Sequence, residues 1–297
     1  MLASATEAVY ALGLEDQLVA ISHECDYPPE SLRLPRASRS RFDPAGLTSG
    51  EIDSAVRRSM EEYGSVYEVD RALLAELQPD LVLTQAVCEV CAVPTGSVLE
   101  AVAELSAAPL VLSLDSHTIE GILASIADVA DAAGVAGRGR EVVGRLRSRL
   151  DGVIEAIEGE ERPRVLLLEW LDPPFSPGHW VPEMVAMAGG ELLLGTAGGR
   201  SVEVNWRDLD GLDPDLLLVE PCGYGLAEAR IDAESHGEAL SRVAERAIES
   251  GAAWLLHSSY YSRSGPRVVD GVEALARVLH PDRFDEPPSA SVAERWR

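Results

Sequence analysis

The chain has 297 residues, enough to bury one large core or two of medium size, and its 46% hydrophobic and 25% charged composition is that of an ordinary globular protein. A formal net charge of −25 argues against nucleic acid or an anionic lipid surface as partner, because both need a basic footprint. All 25 basic residues are Arg, which rules out a Schiff-base lysine and a lysine-bearing phosphate loop, and no apolar run is long enough to insert in a membrane.

In chain order, Ser4-Ala5-Thr6-Glu7 has the spacing of a capping box and predicts a short helix to about Leu12, stopped by Gly13. Residues 18–22 read as a strand, running into a loop fixed by Pro28 and Pro29; residues 30–47, rich in Arg, Ser and Pro, read as irregular. Thr48-Ser49-Gly50-Glu51 caps a helix to about Tyr63. A helix over 70–77, a buried strand over 81–84, a loop over 88–94, a helix over 97–105, a strand over 110–114 and a helix over 118–133 follow.

Near the middle, over 139–158, Val142, Leu146, Leu150, Val153 and Ile157 recur at steps of three and four, with Val143 and Ile154 widening the stripe. This helix would be roughly 30 Å long. Gly144 and Gly152 each cost it about 1 kcal/mol relative to Ala, so packing must hold it together. The second half repeats the alternation: an apolar strand over 164–169, a Pro-rich loop over 170–182, a helix over 182–188 stopped by Gly189-Gly190, and a short helix over 206–212. A strand over 216–219, a helix over 237–250, a strand over 253–257, a helix over 268–278 and a loose tail over 285–297 complete it. Leu77-Gln78-Pro79-Asp80-Leu81 leads to Cys88 in one half as Leu212-Asp213-Pro214-Asp215-Leu216 leads to Cys222 in the other. The fold class is therefore α/β: two Rossmann-like lobes at 1–134 and 160–297, joined by a single long linking helix at 135–159, with a ligand cleft between them.

In such sheets ligands meet the residues just beyond strand carboxyl ends. These are His23-Glu24-Cys25, Cys88-Glu89-Val90-Cys91 and Asp115-Ser116-His117 in the first half. In the second they are Glu169-Trp170, Pro221-Cys222-Gly223 and Ser258-Ser259-Tyr260-Tyr261. A single cysteine is ordinarily a small buried hydrophobe, but packing gives no reason for all four to sit at strand ends. As a metal set, Cys25, Cys88, Cys91 and Cys222 could hold zinc or iron through thiolates, with His23 or His179 completing the site. As a redox dithiol, Cys88 and Cys91 stand too far ahead of the next helix, with Pro94 between.

The segment 169–180 gathers Trp170, Phe175 and Trp180, which either plug the loop onto its own lobe or form a flat ligand wall with Glu169 and His179 as polar contacts. Tyr260, Tyr261 and Arg263 could face it, and Tyr27 from the first half. No nucleophile elbow, dinucleotide loop or His-Glu-x-x-His is present, so no catalytic residue is named. The N-terminus shows no basic segment followed by an apolar stretch and cleavage site; as the sequence stands the expected location is cytoplasmic, and periplasmic or extracellular if Met1 follows a trimmed leader.

Several segments resemble the cobalamin-binding group of class III substrate-binding proteins of ABC transporters, in a subgroup carrying these Cys and His motifs. They are Ser4-Ala5-Thr6-Glu7, Ser22-His23-Glu24-Cys25-Asp26-Tyr27-Pro28 and Pro79-Asp80-Leu81-Val82-Leu83-Thr84-Gln85. Glu169-Trp170-Leu171-Asp172-Pro173-Pro174, Gly178-His179-Trp180-Val181-Pro182-Glu183, Pro221-Cys222-Gly223 and Tyr261-Ser262-Arg263-Ser264-Gly265-Pro266-Arg267 continue it, so that the likeness covers about residues 1–280. The resemblance implies two α/β lobes with a stiff linking helix, cobalamin or a related corrinoid as a small-molecule ligand, and an ABC-transporter permease as partner. A metalloprotein or metal-dependent enzyme built on the Cys/His/Glu cluster is the alternative.

Overall fold

The computed structural model describes residues 1–87 and 93–297, and the chain divides into two compact units. One comprises residues 1–47, 51–116 and 120–145; the other comprises 48–50, 117–119 and 146–297.

The first unit begins with α1 (Ala3–Ala11), followed by an antiparallel ladder of β1 (Ser38–Ser40) and β2 (Tyr67–Val69), with α2 (Ser49–Tyr63) between them in sequence. Asp70 caps α3 (Arg71–Leu77), its carboxylate accepting from Leu73 N at 2.9 Å. A parallel pair, β3 (Leu81–Thr84) and β4 (Leu110–Ser113), is interleaved with α4 (Thr95–Val102) and leads to α5 (Ile119–Ala132). Val66, Leu74, Val82, Val98 and Ala101 form the core beneath these elements. The long helix α6 (Ala136–Ala156) follows, and an added methyl group at Gly144 or Gly152 would meet open space. In the second unit Arg149 of α6 grips Glu273 with two N–H groups, 2.9 and 2.8 Å from its carboxylate oxygens, and also donates to Asp270.

The second unit is built on a five-stranded sheet in the order β12-β11-β10-β5-β8. β5 (Arg164–Leu168), β8 (Glu191–Leu192), β10 (Leu216–Val219) and β11 (Ala253–Leu256) run parallel. All four residues of β10 are buried, as are the last four of β5, because helices cover both faces. At about 1.5–3 kcal/mol for each fully buried aliphatic side chain, these two strands alone carry a large part of the unit's hydrophobic stabilisation. A second, three-stranded sheet holds β6 (Trp170–Leu171), β7 (Pro174–Ser176) and β9 (Val202–Glu203). The remaining helices are α7 (Val181–Met187), α8 (Leu226–Ser235), α9 (Gly237–Val243), α10 (Glu245–Glu249) and α11 (Val268–Leu279).

Several local expectations are corrected. Leu2, with no side-chain cap bond, is the N-cap of α1, so Ser4 lies inside the helix and the capping-box reading fails. Residues 18–22 form only an isolated bridge of Ile21 to Arg36; Pro35 in the partner segment has no N–H to extend a ladder. Residues 38–40, read as irregular, form β1. The Pro-rich segment after Glu169 is a hairpin, with Trp170 directly opposite Phe175. The helix expected over 237–250 is broken at Ala244 into α9 and α10, and α8 precedes it. The tail is not loose: β12 (Ala293–Arg295) pairs antiparallel with β11, and Trp296 is 6% exposed and donates N–H to Ala253 O at 2.8 Å.

Candidate functional site

The carboxyl ends of β5, β10 and β11 lie side by side, and the residues that follow them make one chemical neighbourhood. Glu169, after β5, is joined to the segment after β10 by Cys222 N donating to its carbonyl at 3.0 Å. Its carboxylate accepts from Gly178 N at 3.2 Å and from the Ser201 hydroxyl, tying down the loops on either side of His179. Gly178 is required there, since a Cβ would lie 2.2 Å from Ser201 N. Trp170 donates its indole N–H to Asp172 O at 3.1 Å and packs against Tyr224, ring centroids 5.1 Å apart and inclined at 55°. Both rings are half-buried. Burial, with the charges of Asp232 and Glu228, pushes the Tyr224 hydroxyl up to about 12 and keeps it neutral.

Glu220, after β10, is 0% exposed. One oxygen accepts from the Ser262 hydroxyl at 2.6 Å and the other has no partner among the described residues. Burial first, then the neighbouring Glu169 and Cys222, holds this carboxyl well above the ordinary carboxylate range. Its place at the strand ends thus favours the protonated form.

After β11, Tyr260 is half-buried, with the Arg267 guanidinium 4.9 Å from its ring centroid and the His257 ring edge-on at 5.7 Å. Tyr261 is 0% exposed, and Trp180, 5% exposed, donates its indole N–H to the Tyr261 carbonyl at 2.5 Å. These two residues are therefore interior and support the surface from behind. Arg263 is half-buried.

His179 has φ of +52°, a left-handed conformation uncommon outside glycine. Its backbone is clamped on both sides, its N–H donating to Gly199 O at 2.5 Å and its carbonyl accepting from Gly198 N at 2.8 Å. Its Nδ1 lies 3.4 Å from Nδ1 of His117. Burial, then the charges of His117 and Arg200, lowers its affinity for a proton, so the ring is neutral at pH 7.

Of the other expected site residues, Tyr27 belongs to the first unit and is 46% exposed. Cys25, also in the first unit, is 2% exposed among Ala3 and Ile21, with Sγ 3.1 Å from the Thr6 hydroxyl. Cys222 is half-buried, and Cys88 and Cys91 lie outside the described residues. Among the described residues no group of three His, Cys, Asp or Glu side chains is placed to hold a metal ion. Sequence reasoning had His117 among the strand-end residues without assigning it a partner, and missed Tyr224 and Glu220. Glu220 carried a signal, a carboxylate directly after the wholly apolar Leu216-Leu217-Leu218-Val219.

Residues 3–247 match the family described as periplasmic binding protein. The chain belongs to that family. The vitamin B12-binding protein of Vibrio cholerae serotype O1 is 22% identical over 279 residues, covering 93% of this chain and 86% of that protein. The crystal structure of the periplasmic vitamin B12-binding protein of Vibrio cholerae has a TM-score of 0.69 at 18% identity, with 96% of each chain covered. A periplasmic heme-binding protein from Pseudomonas aeruginosa has a TM-score of 0.69 at 20% identity, with 98% of this chain and 94% of that one covered. The fold is the class III periplasmic-binding-protein fold. Among the described residues no helix is long and apolar enough to cross a membrane.

Proposed function

We propose that this chain binds a cobalamin-type corrinoid, or a related planar metal chelate, at the strand ends of its second unit and delivers it to an ABC-transporter permease. The observation that carries the reading is the Trp170–Tyr224 pair, half-exposed beside the carboxyl ends of β5 and β10. Two tilted rings present flat, polarizable area to a macrocycle, while the tyrosine hydroxyl offers an edge hydrogen bond. Tyr260 extends this wall and His179 supplies a neutral ring nitrogen at its margin.

Electrostatics favours the corrinoid within this class. In a chain of net charge −25, three groups of this neighbourhood are shifted toward their uncharged forms: Glu220, His179 and Tyr224. An amide-edged ring carries no charge for the acidic chain to repel, whereas one bearing two propionates does. Equilibrium dialysis against cyanocobalamin, dicyanocobinamide and haemin in parallel tests this. Tighter retention of the two corrinoids is expected, and preferential retention of haemin, or of none of the three, contradicts it.

A further inference from the structure

We infer that His117 and His179 form a metal-binding pair, two imidazoles that take neighbouring coordination positions on one first-row divalent transition-metal ion. The two Nδ1 atoms are 3.4 Å apart, beyond the usual range of a hydrogen bond between nitrogens. Two nitrogens each about 2.0–2.1 Å from a tetrahedral ion are separated by about 3.4 Å. The ring centroids are 5.5 Å apart with planes inclined at 43°, so the rings are splayed and not stacked.

The surroundings hold the backbone at or near both residues. His179 is clamped through its N–H and carbonyl by Gly199 and Gly198, in a left-handed backbone conformation that the clamp maintains. Two residues after His117, Ile119 N donates to Glu183 Oε2 at 2.7 Å, which ties that segment to α7.

Among the described residues no third ligating side chain joins the pair, so the remaining positions on the ion are open to a chelator. This sets the ligand class. A metal inside a closed macrocycle has its four equatorial positions filled, and its two axial positions lie on opposite faces of the ring. Two imidazoles 3.4 Å apart cannot occupy both. The pair therefore suits a bare ion or an open chelate with two adjacent positions free, and the inference stands independently of the corrinoid reading.

Calorimetric titration of the wild type, His117→Ala and His179→Ala with ZnCl2 tests the pair. Nickel(II)–nitrilotriacetate, which leaves two adjacent positions open, distinguishes chelate from bare ion. The wild type should take up one equivalent of Zn2+ more than either variant, with unchanged thermal melts, and binding of the nickel chelate should weaken at least tenfold in both. Equal Zn2+ uptake and equal chelate binding by all three proteins would overturn the inference. Failure of every corrinoid to bind, with that one equivalent still lost in the variants, would leave this site standing and remove the other proposal.

Discussion

Glu220 shows how one residue can set the character of a site. A carboxyl 0% exposed, with one oxygen held by Ser262 and the other without a partner among the described residues, cannot ionise cheaply. Its affinity for a proton in the folded state is well above the ordinary value of 4.5. Between those two values the folded chain holds a proton that the unfolded chain has released. The associated stability is therefore fully present below about pH 4.5 and is lost as pH rises toward the folded value. Glu220→Gln removes this loss: thermal melts should place the variant above the wild type at pH 8, with the gap closing by pH 5. An unchanged gap at both pH values would mean that Glu220 is ionised in the fold. At this scale the sequence was partly legible. The rule that residues after strands face ligands points to Glu169 and Trp170, and the aromatic loop over 169–180 points to His179. His117 and Tyr224 gained their partners only from the paths of loops, which no local periodicity encodes. Trp180 and Tyr261 have the composition of a binding wall, yet their mutual hydrogen bond belongs to the interior.

Among the elements, those with a strong period or an unbroken apolar run were readable, and the short ones were not. β5 and β10 declare themselves because strands buried on both faces are apolar, and α6, a helix of 21 residues, because its apolar stripe runs from Val142 to Val153 and on to Ile157. The β6–β7 hairpin is two residues against three with prolines at its turn, which reads as loop. The C-terminal segment carries only three paired residues, and its one strong signal is Trp296. That residue closes the edge of the sheet beside β11, so Trp296→Ala should destabilise the second unit by about 3 kcal/mol in denaturant unfolding. A loose tail would give no measurable change.

For the whole molecule, alternating strands and helices around one long helix were enough to reach the fold class, and the family match over residues 3–247 agrees with it. Ligand identity is harder, because relatives at 22% identity or less share a scaffold whose specificity lies in the loops after the strands. Here those loops place aromatic rings near Glu220, His179 and Tyr224, each shifted toward its uncharged form, in a strongly acidic chain. The central claim is that the Trp170–Tyr224 surface takes up a corrinoid. It is tested most directly by titrating dicyanocobinamide into the wild type and Tyr224→Ala while following tryptophan emission. The account predicts saturable quenching in the wild type and at least tenfold weaker binding in the variant. Saturable quenching of equal affinity in both proteins, or none in the wild type, would contradict it.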